Sequence, residues 1–433
     1  MASESDSLAI VGATLIDGSG AEPLADAALL IEAGHIRYAG SLAGFEAPAG
    51  VKTIDARGKF LVPGLIDLHV HSTFESDMRV YLDNGVTSIR YAGLNQDAVV
   101  ALRQRVERGQ VRGPRIFSCG PMLDATPSAF PRWTTEVNTP QEAADTAQRL
   151  LAEDQVEALI VTQRITPQLL RPIVEAAHEF GRPVTGQIWA TDARQAAEIG
   201  IDQLDNNSRF FASREYPAER LLSYNSISER LGLLARGLAS IDWDLTAPMM
   251  EAMLRHQVAY CPTLVVTQHR AGLGHELLEA DPDFQHKYGA EEHAVWAAMA
   301  REVGGGWSAE DVDFLRRALE TRQEWMRRFH ALGGTLVLGT DMQFGGIMIH
   351  HELRNLAEAG LSLAQVIAAA TGRSAQALRM ADTLGTLHAG KQADLLLLNR
   401  DPLRDLGALR DIDLVIKGGI EHPASKSRQI GHA

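Results

Sequence analysis

From residue 61 onward, short apolar runs alternate with longer amphipathic stretches. Runs rich in β-branched residues and bounded by Gly, Pro, Asn or Asp read as strands. They fall at Leu65–His71, Thr87–Ala92, Arg115–Cys119, Ala158–Thr162, Pro183–Ile188, Gln203–Asn206, Ala259–Thr263 and Thr335–Thr340. Between them, apolar residues recur at helical spacing, as in Asp97–Arg108, Pro140–Ala152, Pro167–Phe180 and Ala193–Ile199. Thr166-Pro167 reads as an N-cap followed by proline at the first helical position. Ser362 to Gln365 reads as a capping box opening another helix. Eight strands, each followed by a helix, predict a closed parallel (β/α)8 barrel of the TIM type with its site at the C-terminal strand ends.

The flanks follow a different rhythm. Residues 7–60 and 384–420 are β-rich with glycine turns. The two chain ends (1–60 and 384–433) are expected to form one small β-sandwich beside a barrel over 61–383. Two connections, about 209–257 and 265–330, are too long for simple βα loops and read as helical insertions. They carry Phe210, Phe211, Tyr216, Tyr224, Trp243, Trp296, Trp307 and Trp325. Those aromatics either pack the added helices onto the barrel or wall a bulky substrate pocket.

Composition narrows the class. At 433 residues, 45% hydrophobic and 22% charged, the chain has the make-up of a soluble globular protein with a large core. A net charge of −14 argues against a nucleic-acid partner. The absence of a long apolar run argues against a membrane span, and the acidic, polar start MASESDSLAI against a secretory signal. Two cysteines, Cys119 and Cys261, make no disulfide scaffold, so the cytoplasm is the expected compartment. A small-molecule substrate and a symmetric homo-oligomer are the expected partners.

The candidate chemistry lies in LVPGLIDLHVHST. His69 and His71 stand two apart at the end of a strand, so both imidazoles project from one face. Such a pair can grip one divalent metal. The motif alone is weak, since 15 histidines give roughly half an His-x-His per chain of this length by chance. Its context carries more weight.

PGLIDLHVH, GVTSIRYAG, PIVEAAHEFGRPV, YCPTL, LGTD and HELRNLAEAGLSLAQVIAAATGRSAQAL followed by LGTLHAGKQADLLLL span nearly the whole chain. Together they resemble the metal-dependent amidohydrolase superfamily, in the branch of imidazolonepropionases and prolidase-like amidohydrolases. The resemblance implies metal ligands at His69, His71 and Asp341, the last in Gly339-Thr340-Asp341. It also shows losses. The strand-4 position of a carboxylated lysine falls on Ile160 or Val161, and no lysine occurs between Lys59 and Lys287. The strand-5 and strand-6 histidines fall on Gln187 and Asn206, and the acidic residue of the strand-2 loop on Tyr91.

One half-site therefore survives, a two-histidine, one-carboxylate set that suits a single divalent ion with zinc as first candidate and iron(II) as second. Asp341 is then also the proton shuttle, although an aspartate after a strand can equally cap the next turn. Gln187 and Asn206 are substrate-binding amides or fillers of a vacated metal site. Arg90 and Tyr91 orient a substrate carboxylate or donate a proton, or Arg90 is simply salt-bridged within the barrel. His350 and His351 read as a solvated helix face, His178 as structural, and the cysteines as lacking a histidine partner for nucleophilic work. The expected function is hydrolysis of an amide or cyclic-amide C–N bond. The rivals are metal-independent acid/base chemistry (an isomerase, lyase or dehydratase) and a non-catalytic binding relative.

Overall fold

The computed structural model describes residues 7–72, 74–93, 96–224, 227–270, 278–304 and 308–423. Trp307, expected among the insertion aromatics, lies outside them. Mixed α/β structure is built on parallel strands. One arc runs Leu65–Val70, Val86–Tyr91, Arg115–Ser118. The other runs Thr134–Glu136, Met122–Asp124, Leu159–Gln163, Val184–Ile188, Gln203–Asp205, Ala259–Cys261. Their residues are almost all buried, as parallel strands covered on both faces require.

Segment 335–342 lies between the open edges of the two arcs. On one side Tyr260 N donates to Thr335 O (2.9 Å) and Val337 N to Tyr260 O (3.0 Å). On the other, Leu68 N donates to Leu338 O (3.0 Å) and Asp341 N to His69 O (2.8 Å). The ladder strand expected at Thr335–Thr340 is instead an extended segment with single bridges, Tyr260↔Leu336 and Val70↔Met342. Crowding and twist explain this. A Cβ on Gly339 would sit 2.4 Å from Cys261 Sγ and 2.9 Å from His69 Cβ, so only glycine allows the approach. Asp341 then turns left-handed at φ 55°. At the opposite seam, Glu157 N and Ala158 N reach Ser118 O at 2.9 and 3.3 Å. The closed ring expected from the sequence is not one continuous ladder here: two parallel arcs are tied by these few bonds.

Helices Pro140–Ala152, Pro167–Glu179 and Ala193–Ile199 sit where the apolar spacing puts them. Thr139–Glu142 and Asp192–Gln195 close capping boxes, and Gly200 ends the third helix at φ 110°. Ser362 and Gln365 form the expected box. Thr166 precedes Pro167 as expected, but its side chain makes no capping bond. Pro167–Glu179 buries Leu169, Leu170, Ile173, Val174 and Ala177 on one stripe, each large side chain contributing about 1.5–3 kcal/mol.

The chain ends do pair with each other. They make one hydrogen-bonded sheet of eight strands rather than two stacked sheets. Ser7–Leu15 pairs with Lys52–Asp55 along its first half and Phe60–Pro63 along its second, and Leu395–Leu398 joins Phe60–Pro63. The break falls at Gly12 (φ 84°), within the first of two register shifts, where the strand bends and lets the sheet fold over its own core of Ile10, Leu29, Leu61, Leu395 and Ile416.

The insertions are helical, with the longest helix at Ala309–Ala331. Phe210, Tyr260, Trp325 and Phe329 pack ring against ring at 4.6–5.0 Å, mostly edge-on or tilted, which fastens that helix to the Ala259–Cys261 strand. No helix among the described residues is long and apolar enough to cross a membrane.

Candidate metal centre

The strand Leu65–Val70 delivers His69 and, just beyond its end, His71. The glycine-led turn after residue 339 delivers Asp341. Their ligand atoms converge: His69 Nε2 and His71 Nε2 are 3.3 Å apart, and Asp341 Oδ1 is 3.5 Å from the first and 2.9 Å from the second. Ligand atoms on a tetrahedral zinc with bonds of ~2.0–2.1 Å lie about 3.3 Å from one another, so this spacing fits one shared ion. These three form the single such cluster found among the described residues.

The tautomer of His69 is set from behind. Its Nδ1 lies 3.1 Å from Asp205 Oδ2 and donates to it, which leaves Nε2 as a lone pair facing the centre. Asp205 is fully buried and accepts also from Thr185 Oγ1 (2.6 Å) and Gln203 Nε2. Burial opposes its charge, but His69 and Arg90 outweigh burial and hold the carboxyl below its usual range. Burial likewise opposes the His69 cation, and Asp341 and Asp205 outweigh it, so the imidazole is raised. Asp67 works one layer further down. It accepts from the backbone N–H of His69 (3.2 Å) and Thr340 (3.0 Å) and from Thr340 Oγ1 (2.7 Å), tying both ligand-bearing segments together. Burial pushes its carboxyl up to about 7.

Asn206 donates from Nδ2 to Asp341 Oδ2, while its Oδ1 has no hydrogen-bond partner among the described residues. Both residues hold left-handed backbone, φ 50° and 55°, an uncommon conformation for non-glycine residues that recurs at functional sites. The carbonyl of Asn206 is pinned by Tyr260 Oη (2.9 Å) and by Arg322 Nη2 (3.3 Å), a buried arginine from the inserted helix. Gln187 is half-buried on the face of its strand that carries Thr185, pointing to the interior.

Two expected site residues do not open onto the centre. Arg90 is fully buried, donating to Leu68 O (2.8 Å) and lying 3.8 Å from Asp205 Oδ2. It is the internally paired arginine, not a substrate contact. Tyr91, its neighbour on the strand, points the opposite way, into the core beside Asp77, and burial raises its phenol. His350 is also not solvated: the helix Gly345–Glu358 turns it inward, 7% exposed. Beside it, burial pulls His351 down to about 4. His178 is structural, 3.0 Å from Asp202. Cys119 and Cys261 are buried; burial pushes the Cys119 thiol up to about 12 and raises Cys261 well above the usual thiol value, which makes them poor nucleophiles.

The sequence reading missed Asp205, Asp67 and Trp133. Gln203 and Asp205 alternate with Leu204, a pattern that puts two polar groups on one face of a buried strand, and Asp67 is an acid inside an apolar run; both signals are visible. Nothing near Trp133 marks it. Its indole stacks on His71 (centroids 6.4 Å, 20°) and on Phe130 (6.2 Å, 25°). Arg230 lies over Phe130 and Trp189, and Trp189 meets Tyr224 edge-on. Of the insertion aromatics, Phe210 and Trp325 pack the added helix onto the barrel strands, while Tyr224 meets Trp189.

The profile of the amidohydrolase family matches residues 60–420, and the chain belongs to that family. Imidazolonepropionase of Rhizobium rhizogenes is 22% identical over 398 residues, covering 88% of each chain. Imidazolonepropionase of Mesorhizobium japonicum is 26% identical over 404 residues, covering 89% of each. Among solved structures, a Xaa-Pro dipeptidase with bound methionine superposes with a TM-score of 0.70 at 20% identity, over 96% of this chain and all of that one. Ochratoxinase of A. niger does so with a TM-score of 0.70 at 19%, over 97% and 96%. Likeness at that level is one of fold.

Proposed function

We propose that this chain is a hydrolase of an amide or cyclic-amide C–N bond that works with one divalent metal, zinc as first candidate, on His69, His71 and Asp341. The observation that carries this reading is the convergence of those three side chains with His69 locked by Asp205 in the tautomer a ligand needs. Ile160 faces the interior beside Cys119 and Ala158, so no lysine carbamate bridges to a second ion there. When bound, the ion supplies a Lewis acid for the carbonyl and makes a water acidic enough to attack near neutral pH.

The protein's own groups do the rest. Asp341 takes a proton from the attacking water as its oxygen bonds to the carbonyl carbon, then gives that proton to the nitrogen as the C–N bond breaks. Asn206 donates to Asp341 Oδ2 and so fixes the orientation of that carboxylate beside the histidines. Gln187 and the free Oδ1 of Asn206 offer a donor and an acceptor to the substrate amide. Trp133, 37% exposed and stacked on His71, is the wall against which a flat substrate group lies.

Protein prepared without chelator is assayed for metal and for amide hydrolysis. About one ion per chain, with turnover lost to EDTA and restored by Zn²⁺, is the expected result. Turnover indifferent to EDTA would replace this reading with metal-free acid/base chemistry. Absence of turnover on any amide, with Asp341→Asn indistinguishable from wild type, would leave a binding protein.

A further inference from the structure

The end of the parallel unit opposite the metal centre holds a cavity of about 590 Å³, within the range of small-molecule sites. Asp202 and Val258, each directly before a strand, and Thr335, the first residue of the segment 335–342, line it; the far ends of those elements face the mouth. Arg373, Arg379, His178 and His256 line it as well.

The charges there do not balance. Asp202 is the lone carboxylate among the lining residues, and its oxygens are taken. Oδ1 accepts from Arg379 (2.6 Å), and Oδ2 accepts from Val184 N (2.8 Å) and faces His178 Nε2 (3.0 Å). Among the described residues Arg373 has no ion pair, and its Nη1 is closed off from solvent with no hydrogen-bond partner. Burial pulls its guanidinium down, and among the described residues no carboxylate opposes that pull. An arginine keeps its charge under such conditions, and its planar fork matches a carboxylate or phosphate in two-point contact.

We infer that this cavity is a second ligand site, which takes a small organic carboxylate or phosphate monoester with Arg373 as the receiving cation. The geometry needs no rearrangement of Asp202, whose engagement by Arg379 and His178 removes the one internal competitor for Arg373. Leu332 and Phe180, beside the lining residues Gly333 and His178, are 62% and 45% exposed. That makes an acidic segment of a second copy the rival occupant.

The test is calorimetric titration of the metal-loaded protein with inorganic phosphate, phenyl phosphate and benzoate, at ionic strength matched with NaCl. Saturable binding of at least one of them is expected, weakened about tenfold or more in Arg373→Gln and kept in Arg373→Lys. Phenyl phosphate and benzoate separate the two anion types. Hydrogen exchange on the unaltered protein adds a readout that needs no variant: the bound anion should protect residues 333–335 and 373–379. An anion held at His69, His71 and Asp341 would bind wild type and Arg373→Gln alike and leave those residues unprotected, which overturns the inference. So would the absence of saturable binding. A dimer in sedimentation whose protection at 333–335 is the same with and without anion would assign the cavity to a second copy instead.

Discussion

At the scale of single residues, the centre depends on how three side chains are aimed. Replacing Asp341 by Asn removes the proposed proton acceptor and one anionic donor but keeps the shape that Asn206 holds. Hydrolysis should fall by about 10²–10⁴-fold with the circular dichroism spectrum unchanged. Asp205→Asn acts one step away. An amide there can present N–H to His69 Nδ1 and reverse its tautomer, so metal affinity should fall by about 10–100-fold, read by competition with a chromophoric chelator. Unaltered affinity in that variant would mean that His69 is held by packing alone. The histidine pair was legible in the sequence because strand alternation forces i and i+2 to one side. Asp205 was in view but unread: its neighbour Asn206 stood at the expected ligand position, and a buried acid's partner sits 136 residues away, where no local pattern reaches.

At the scale of elements, local rules placed the strands and helices to within a residue or two, because alternation and capping act over one turn or one pleat. They failed where long-range contacts decide. Met122–Asp124 and Thr134–Glu136 are three residues each, too short for periodicity, and exist because they extend a sheet already formed. The segment 335–342 reads as an ordinary strand yet is bent by the approach of Gly339 to His69. The insertion over 265–330 is tied down by tertiary bonds that no local signal announces. Tyr288 donates to Asp77, whose other oxygen accepts from Ser72 (2.5 Å), next to His71. Burial pushes Asp77 up to about 7 despite those two bonds. A carboxyl that keeps its proton in the folded state to about pH 7, but loses it near 4 when unfolded, binds more protons folded across that window. Its contribution is therefore present at low pH and lost as pH rises from 4 to 7. Asp77→Asn, which copies the protonated form, should be more stable than wild type above pH 7 and level with it near pH 4. Equal melting curves for the two at pH 8 would show that ionising Asp77 costs the fold nothing and that burial does not raise its carboxyl.

At the scale of the whole molecule, the proposed metal centre doubles as a joint. His69 belongs to one arc of strands, Asp341 to the segment that links the arcs, and Asp205 to the other arc, so an ion on the first two draws together pieces that share few ladder hydrogen bonds. Without the ion, Asp341 and the two histidines still attract one another, but two imidazole nitrogens 3.3 Å apart are satisfied only if one carries a proton. Binding that favours the folded state stabilises it by about 2.7 kcal/mol when the ion is at 100 times its Kd. For a chain of this size that corresponds to an unfolding midpoint higher by about 2–4 °C or somewhat more, reading the shift as apparent if unfolding is not two-state. Stripping the protein with chelator should lower the midpoint by that amount, and Zn²⁺ should restore it. The same cycle on His69→Ala/His71→Ala should do nothing. The local signature is sharper than the global one. Hydrogen exchange on the stripped protein should rise first at residues 335–342, whose bonds to Tyr260 and His69 bridge the arcs, and only later in the strand Val184–Ile188, which is laddered on both sides. If exchange at 335–342 ignores the ion while the melting point follows it, the ion sits elsewhere on the protein and the joint is made by Asp67 and the backbone alone.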